Sequence, residues 1–275
     1  ETIVKSIYPN ALSVSAWGGE DDETPVYGVV KIAIKAASGS TLTNQTKLDI
    51  VNLLKPYNVA SVRPEIVDPE TTSLLLNSVV KYDSKNTAKT SSTLKTEIIE
   101  SISNYNTNTL QKFDGVFRFS KLSKLIDDTD GAILSNSSTV KMRKNFTPTF
   151  NTSTKYNIYY RNSLYNPHGG HNSIAGGILS STGFKVDGNT NEQFLDDDGN
   201  GNVRRYYLVS GIKTYATSAQ GVINYITGQI TLNSLNVTSI SNIRGTSSNV
   251  IEITVTPDSR DIVPVRDQII EIDTN

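Results

Sequence analysis

Residues 26–35 read Val26-Tyr-Gly-Val-Val-Lys-Ile-Ala-Ile-Lys35, and this alternating stretch decides the fold of the first half of the chain. Val30, Ile32 and Ile34 fall on one face of an extended segment, and the two lysines fall on the opposite face. Such a period of two residues is typical of a strand with one buried face. We therefore predict a half-buried strand here.

Helical spacing follows this strand. A helix is predicted over about 44–54, where Thr41 and Thr43 supply N-cap hydroxyls and Pro56 ends the helix. A second helix is predicted from the Ser and Thr residues at 90–93 to about residue 105. The apolar residues at helical spacing are Leu48, Val51 and Leu54 in the first helix, and Leu94, Ile98, Ile102 and Tyr105 in the second.

The remaining elements of the first half are short. We predict a strand end at 65–69, a strand over 72–82, a short helix over 121–127 and a strand over 139–146. Strands that alternate with helices in this order predict an α+β domain over residues 1–150, a small sheet with helices on one face.

From about residue 151 the helical periodicity ends. Short strand patterns separated by Gly, Asn, Asp and Ser clusters predict an all-β, loop-rich domain over 151–275. Residues 196–202 are predicted to form a turn, and Thr227-Gly228 is predicted to turn a hairpin. The only methionine is Met142, so we expect a fragment of a longer chain. The strand patterns are at 156–160, 177–186, 203–209, 221–232, 250–255 and 268–272.

The composition restricts the classes of function. The 275 residues include 26 basic and 27 acidic side chains, for a formal net charge of -1. This balance builds no strong field for nucleic acid or anionic lipid, and no apolar run is long enough to span a membrane. The absence of cysteine excludes disulfides, thiolate metal sites and a cysteine nucleophile. We expect no nucleic-acid partner, no membrane partner, and folding in a reducing cytoplasm.

The turn at 196–202 resembles the start of a calcium loop. Asp196, Asp198 and Asn200, with Gly201, match the alternating oxygen ligands of that motif. The bidentate carboxylate that should close the loop at position twelve is replaced by Tyr207. The same residues also form a good polar turn, and the missing ligand favours that interpretation.

Two further segments contain groups that can bind ions. His168-Gly-Gly-His171 holds both histidines, but two imidazoles need a third ligand, here or from another subunit, to hold a metal. The acidic segment Trp17-Gly-Gly-Glu-Asp-Asp-Glu23 has no neighbouring His or Lys pattern and is predicted to be a solvated loop that Trp17 packs down. We predict no metal and no cofactor, with ion binding at 168–171 or 196–200 left as the alternative.

Catalytic motifs are missing from the sequence. It contains no phosphate-binding glycine loop, no nucleophile elbow and no zinc-protease motif. With two histidines and no cysteine, the chain lacks the nucleophile and general base that most nucleophilic mechanisms require. We predict no catalytic residues and a protein that is not an enzyme.

Several segments of the first half carry a family resemblance. Val14-Ser-Ala-Trp-Gly-Gly-Glu-Asp21, Thr24-Pro-Val-Tyr-Gly28 and Glu65-Ile-Val-Asp-Pro69 resemble the baseplate J-like proteins of contractile-tailed bacteriophages. Leu42-Thr43 and the helix and acidic turn that end at Gly131 fit the same resemblance. The chain as a whole is similar to the T4-type baseplate wedge subunits of such tails.

The resemblance implies a mechanical role. A wedge subunit pairs with a copy of itself, joins other wedge proteins in a ring around the central hub, and rearranges on host attachment. The implied location is the virion tail baseplate, after synthesis in the host bacterial cytoplasm. The alternative is a receptor- or glycan-binding β module of a phage tail, and a polysaccharide-degrading enzyme would need two facing carboxylates.

Overall fold

The computed structural model describes residues 1–22, 24–37, 41–58, 62–174 and 177–273. Their contacts divide the chain into two compact units. The first unit is built from three separate segments, and the second takes most of the remaining chain. The first unit comprises Glu1–Thr72, Lys89–Arg118 and Val263–Thr274, and the second comprises Ser73–Ala88 and Phe119–Ile262.

Helices and short helical turns are concentrated in the first half of the chain. The helices are α1 (Thr2–Ile7), α2 (Asn44–Leu54), α3 (Ser91–Tyr105), α4 (Phe119–Asp127) and α5 (His171–Ile174), with 3-10 turns at Gly19–Asp21 and Lys55–Tyr57 and a π-helical turn at Asn106–Leu110.

Strands occupy most of the rest. The strands are β1 (Ala11–Gly18), β2 (Val29–Ala36), β3 (Arg63–Val67), β4 (Glu70–Tyr82), β5 (Ile133–Phe146), β6 (Thr154–Tyr159), β7 (Ser180–Ser181), β8 (Phe184–Val186), β9 (Asn189–Asp197), β10 (Asn202–Val209), β11 (Ile212–Asn224), β12 (Gln229–Leu235), β13 (Val237–Ile240), β14 (Ile251–Val255) and β15 (Gln268–Ile272).

The first unit contains a three-stranded sheet in the order β1-β2-β3. β1 is antiparallel to β2, whereas β3 is parallel to β2, and α2 makes the crossover that a parallel pair requires. Helices α1 and α2 pack onto this sheet, since their apolar side chains belong to the same core as those of the strands. The buried members of that core are Val4, Val14, Ile32, Ile34, Ile50, Leu54 and Ile66.

Helix α2 has the predicted bounds, but it buries a different stripe. The Thr43 hydroxyl accepts a hydrogen bond from the Thr46 amide at 3.2 Å, so the predicted N-cap is confirmed. Leu54 is buried as expected, but Leu48 is 59% exposed and Ile50 takes its place at 2% exposure. Packing against the sheet decides which face of α2 is buried. The spacing of apolar residues in the sequence does not distinguish the face with Ile50 from the face with Leu48.

The second unit contains the long antiparallel pair of β4 and β5, in register from Ser73 opposite Arg143 to Lys81 opposite Ser135, with a register shift before Tyr82. Leu122 and Ile126 of α4 are fully buried in this unit. Within this unit β5 also pairs with β14, and β14 pairs with β7, both antiparallel. The long pair is therefore extended on the β5 side by strands from the second half of the chain.

The seven-stranded sheet of the second unit has the order β13-β8-β9-β10-β11-β12-β6. Its centre is an antiparallel meander from β9 to β12. The hairpin of β10 and β11 turns at Ser210 and Gly211, which both have positive φ, of 51° and 82°. Two successive positive φ values are typical of the tight turn that matches the twist of a hairpin.

The α+β class with a loop-rich β second half is confirmed. Three details were wrong. The strands of the first half belong to two sheets and not to one. Strand β9 was not predicted, and it includes Asp196 and Asp197, which were assigned to the turn. The second half also contains the one-turn helix α5. The two compact units do not coincide with the predicted domains 1–150 and 151–275. That division of the sequence into domains stays a prediction.

The turn between β11 and β12 provides a test of backbone conformation. Gly228 has φ of 68°, and a Cβ there would collide with the Asn162 carbonyl oxygen. Gly188 has a similar φ of 73°, but open space surrounds its Cβ position. We expect Gly228→Ala to lower the free energy of unfolding by at least about 2 kcal/mol, and Gly188→Ala by about 1 kcal/mol, because only the first adds a collision to the strain. Urea denaturation followed by circular dichroism measures both; equal losses would contradict the role of the collision.

Candidate functional site

The structure brings together the two segments for which ion binding was the alternative prediction. We call residues 165–172 the histidine loop and residues 196–202 the aspartate turn. The Gly170 amide donates a hydrogen bond to the Gly199 carbonyl oxygen at 3.0 Å, and the Asn166 side-chain amide donates to the same oxygen at 3.1 Å. The histidine loop therefore lies directly on the aspartate turn.

Asp198 organises the aspartate turn. Its carboxylate accepts hydrogen bonds from the Asn200 amide at 2.8 Å, the Asn202 amide at 3.0 Å and the Asn202 side chain at 2.6 Å. Partial burial alone would raise the pKa of Asp198, but these hydrogen bonds and the charge of Arg204 outweigh it and keep that pKa below its ordinary value. The Asp198 carboxylate is thus satisfied by Asn200 and Asn202 of the same turn, which is the pattern of a structural turn.

The two histidine rings contact each other. His171 Nδ1 lies 3.1 Å from His168 Nε2, and the rings meet edge to face at 4.8 Å. The ring of Tyr165 packs against His171 in the same manner, at 5.6 Å. Across the described ranges, no three His, Asp or Glu side chains form a group that could hold a metal ion. The absence of a metal stays the prediction, and ion binding by this loop, alone or between copies, stays its alternative.

Asp196 projects to a different set of partners. Its buried carboxylate accepts hydrogen bonds from Arg204 Nε at 2.9 Å, Lys213 Nζ at 2.7 Å and the Tyr215 hydroxyl at 2.9 Å. Burial, together with the hydrogen bond to Asp196, raises the pKa of the Tyr215 hydroxyl. Asp196 and Asp198 therefore do not act as one ligand set, and the network of Asp196 ties β9 to both strands of the β10–β11 hairpin.

Aromatic rings and cations surround this network on the same strands. The Lys213 ammonium lies 4.3 Å from the centre of the Tyr206 ring, and the Arg204 guanidinium lies 4.4 Å from that of Tyr215. Tyr206 also stacks on Phe194 with ring centres 5.7 Å apart. These residues were not predicted as a site, although the run Arg204-Arg-Tyr-Tyr207 in a predicted strand was a usable signal.

Asp197 is fully buried and fixes the chain around the histidine loop. It accepts hydrogen bonds from the Ile178 and Leu179 amides at 2.7 and 2.9 Å, and from the Tyr225 hydroxyl at 2.7 Å. The side-chain amide of Asn172 adds a fourth at 3.2 Å. Burial, with the hydrogen bond to Asp197, raises the pKa of the Tyr225 hydroxyl. Four donors satisfy this carboxylate, so its geometry indicates a structural role.

The acidic segment of the first unit is held by Asp22. Trp17 Nε1 donates a hydrogen bond to Asp22 Oδ1 at 2.8 Å, and Lys31 forms an ion pair with the other oxygen. The predicted packing role of Trp17 is thus confirmed. Glu20 and Asp21 point to solvent, whereas Glu23 lies outside the described residues.

The Asp22 contact predicts a pH dependence. Partial burial would raise the pKa of Asp22, but the hydrogen bonds from Lys31 and Trp17 and the Lys31 charge lower it below its ordinary value. A depressed pKa contributes stability above the unfolded pKa of about 4, and that stability is lost as the pH falls through the folded value. We expect Asp22→Asn to be less stable than the parent at pH 7, with the difference shrinking towards pH 2. Urea denaturation across this range measures it, with Asp21→Asn as the exposed control; a difference that is constant with pH would contradict the assignment.

Large apolar side chains are exposed in both units. In the first unit Tyr27 is 83% exposed, and in the second Ile212 is 72% and Ile226 is 85% exposed. An open groove of about 660 Å³ beside Ile226 is lined by apolar, amide and hydroxyl side chains. Exposed apolar groups of this size are typical of surfaces that contact other proteins.

Family comparisons address the first 145 residues. Residues 1–67 match the model of the baseplate structural protein gp6, C-terminal domain I, and residues 73–145 match that of gp6 C-terminal domain III. The two matches together cover just over half of the chain. The chain belongs to the gp6 family of baseplate structural proteins. It is accordingly a structural protein of a virion tail baseplate.

A relative supports the same assignment. The chain is 33% identical over 133 residues to the baseplate wedge protein gp6 of Enterobacteria phage T4. The alignment covers 47% of this chain but 20% of the relative, so the chain spans a small part of that protein's length. The expected family of baseplate wedge proteins is confirmed, whereas the baseplate J-like family stays a prediction.

The gp6 matches correspond to recognisable structural parts. The match to domain I contains the sheet β1-β2-β3, and the match to domain III contains α3, α4 and most of β4 and β5. The histidine loop, the aspartate turn and the β10–β11 hairpin lie beyond both matches. In the described part of the chain, no helix is long and apolar enough to cross a membrane.

Proposed function

We propose that this chain forms part of a wedge subunit in a contractile phage tail baseplate, where it associates with copies of itself and with other wedge proteins. The joined subunits form a ring around the central hub, and the ring rearranges on host attachment. The observation that carries this proposal is the match of residues 1–67 and 73–145 to two C-terminal domains of gp6. The T4 relative is described as a wedge protein.

The surface chemistry of the chain supports assembly. Tyr and apolar side chains are exposed in both units, and such side chains contribute much of the binding energy at protein interfaces. The formal net charge of -1 keeps long-range repulsion between copies small. The polar clusters at Asp196, Asp197 and Asp198 are all bonded within the fold, so they support a structural role in place of catalysis.

Sedimentation velocity tests the proposal. We expect the 275-residue chain to sediment as species larger than the 30.0 kDa monomer, with the average size rising with protein concentration. Negative-stain microscopy of the same samples should show discrete closed or curved assemblies. A strict monomer up to about 1 mM, the weak end of specific association, would contradict self-association.

A further inference from the structure

Asn200 and Gly201 form the only Asn-Gly pair in the sequence. They lie in the aspartate turn, after β9 ends at Asp197 and before β10 begins at Asn202, so both residues are outside the strands. Asn200 is exposed, so water reaches its side-chain amide. The pair therefore combines a solvated amide with a backbone that is less constrained than the strands on either side.

The backbone nitrogen of Gly201 is available as a nucleophile. Among the described residues its N–H donates no hydrogen bond, whereas the neighbouring amides of Asn200 and Asn202 donate to Asp198 Oδ1 at 2.8 and 3.0 Å. Gly201 has φ of 98° and no side chain, so no Cβ shields the nitrogen. An amide that already donates a hydrogen bond would have to lose that bond before it reacts.

The side chain of Asn200 is held weakly. Its Nδ2 lies 3.5 Å from the Asp198 carbonyl oxygen, at the limit of a hydrogen bond, and its Oδ1 accepts no hydrogen bond from the described residues. Asn202 provides the contrast, because its Nδ2 donates to Asp198 Oδ2 at 2.6 Å. The Asn200 side chain can therefore turn towards the Gly201 nitrogen without the loss of a strong contact.

We propose that Asn200 is a site of spontaneous deamidation. The Gly201 nitrogen bonds to Cγ of Asn200 and closes a five-membered succinimide ring, the bond from Cγ to Nδ2 breaks, and the Gly201 amide proton leaves with Nδ2 as ammonia. Water then opens the ring. Opening at Cγ gives aspartate, and opening at the main-chain carbonyl carbon gives isoaspartate, in which the chain runs through the former side chain. Water is the only co-reactant, and the nucleophile is held next to its target by the chain itself.

Both products change the aspartate turn. Each adds a carboxylate at position 200, close in sequence to Asp198. Isoaspartate also lengthens the main chain ahead of Gly201, whose carbonyl oxygen accepts a hydrogen bond from the Ile223 amide at 2.9 Å. The preceding residue, Gly199, accepts the two hydrogen bonds that fix the histidine loop. Isoaspartate should therefore loosen the attachment of the turn to β11 and to the histidine loop.

Peptide mapping of the folded 275-residue chain tests the site. Trypsin releases residues 186–204, which contain Asn189, Asn191, Asn200 and Asn202. The native chain is incubated for several weeks at mildly alkaline pH, which favours loss of the amide proton, and an unincubated sample corrects for changes during digestion. Mass spectrometry should show deamidation at Asn200 at least about tenfold faster than at the other three, because only Asn200 precedes glycine. Equal rates at the four positions overturn the proposal.

The products and two variants identify the mechanism. Aspartate and isoaspartate should both be present at position 200, whereas direct hydrolysis of the side chain would give aspartate alone and would overturn the proposal. Asn200→Gln, which would need a six-membered ring, and Gly201→Ala, whose methyl group shields the nitrogen, should each slow the reaction at least about tenfold. Circular dichroism confirms that each variant is folded, and Asn200→Gln keeps the test valid if the strain at Gly201 prevents folding of the alanine variant.

The isolated peptide of residues 186–204 separates the effect of the fold from that of the sequence. The folded chain should be modified at a rate within about tenfold of the peptide, because the Gly201 amide is unbonded in the fold. A peptide that is converted while Asn200 of the folded chain stays intact would show that the turn protects this residue, and that result also overturns the proposal. Hydrogen exchange of the Ile223 amide should be faster in the isoaspartate form than in the fresh chain.

Discussion

Replacement of Asp196 with alanine is expected to lower the free energy of unfolding of the second unit by about 3–5 kcal/mol. The carboxylate is 1% exposed and accepts hydrogen bonds from Arg204, Lys213 and Tyr215. Its removal leaves two cations close together in a partly desolvated position, and each then lacks the charge that stabilised it. Urea denaturation followed by far-ultraviolet circular dichroism measures the loss.

Two further measurements make this prediction specific. Glu192→Ala removes an exposed carboxylate from the same strand, β9, and should change the free energy of unfolding by less than about 0.5 kcal/mol. A double-mutant cycle of Asp196→Ala with Lys213→Ala should reveal a coupling of about 0.5–3 kcal/mol. Additive losses, or a loss near that of the control, would show that the network contributes little to the fold.

The second large effect is expected in the first unit, where Ile50→Ala should lower the free energy of unfolding by about 2–5 kcal/mol. Ile50 lies in the core formed by α1, α2 and the three-stranded sheet, so truncation leaves a cavity there. The matched control is Leu48→Ala in the same helix, which should cost less than about 0.5 kcal/mol because Leu48 is exposed. Trp17, the single tryptophan, lies in this unit, so its fluorescence follows the unfolding. Equal losses for the two variants would mean that the wrong helix face has been assigned to the core.

Helices α2 and α3 could be predicted from the sequence because capping residues, proline and helical periodicity all act over a few neighbouring residues. Thr43 and Pro56 bracket α2, and the structure has that helix at its predicted bounds. Leu94, Ile98 and Tyr105 are buried along α3, as their spacing predicted. In these cases capping and periodicity point in the same direction as the tertiary contacts.

Long-range pairing could not be predicted. β9 reads Asn189-Thr-Asn-Glu-Gln-Phe-Leu-Asp-Asp197, a polar run that local preferences assign to a turn. It becomes a central strand because β8 and β10 pair with it on both sides. Asp196 and Asp197 are tolerated there because the donors to their carboxylates come from residues 8–28 positions away in the sequence. Both carboxylates were instead predicted to lie in a polar turn, because the partners that bury them are distant in the sequence.

The discontinuous first unit has a consequence for synthesis on the ribosome. Asn106 exchanges two hydrogen bonds with the backbone of Ile272, at 2.9 and 3.3 Å, so this unit gains those contacts only when its last segment has emerged. At about 5–20 residues per second, the roughly 200 residues after its first segment take roughly 10–40 s to translate. During that interval the nascent first unit is incomplete, and chaperones can bind its unpaired segments.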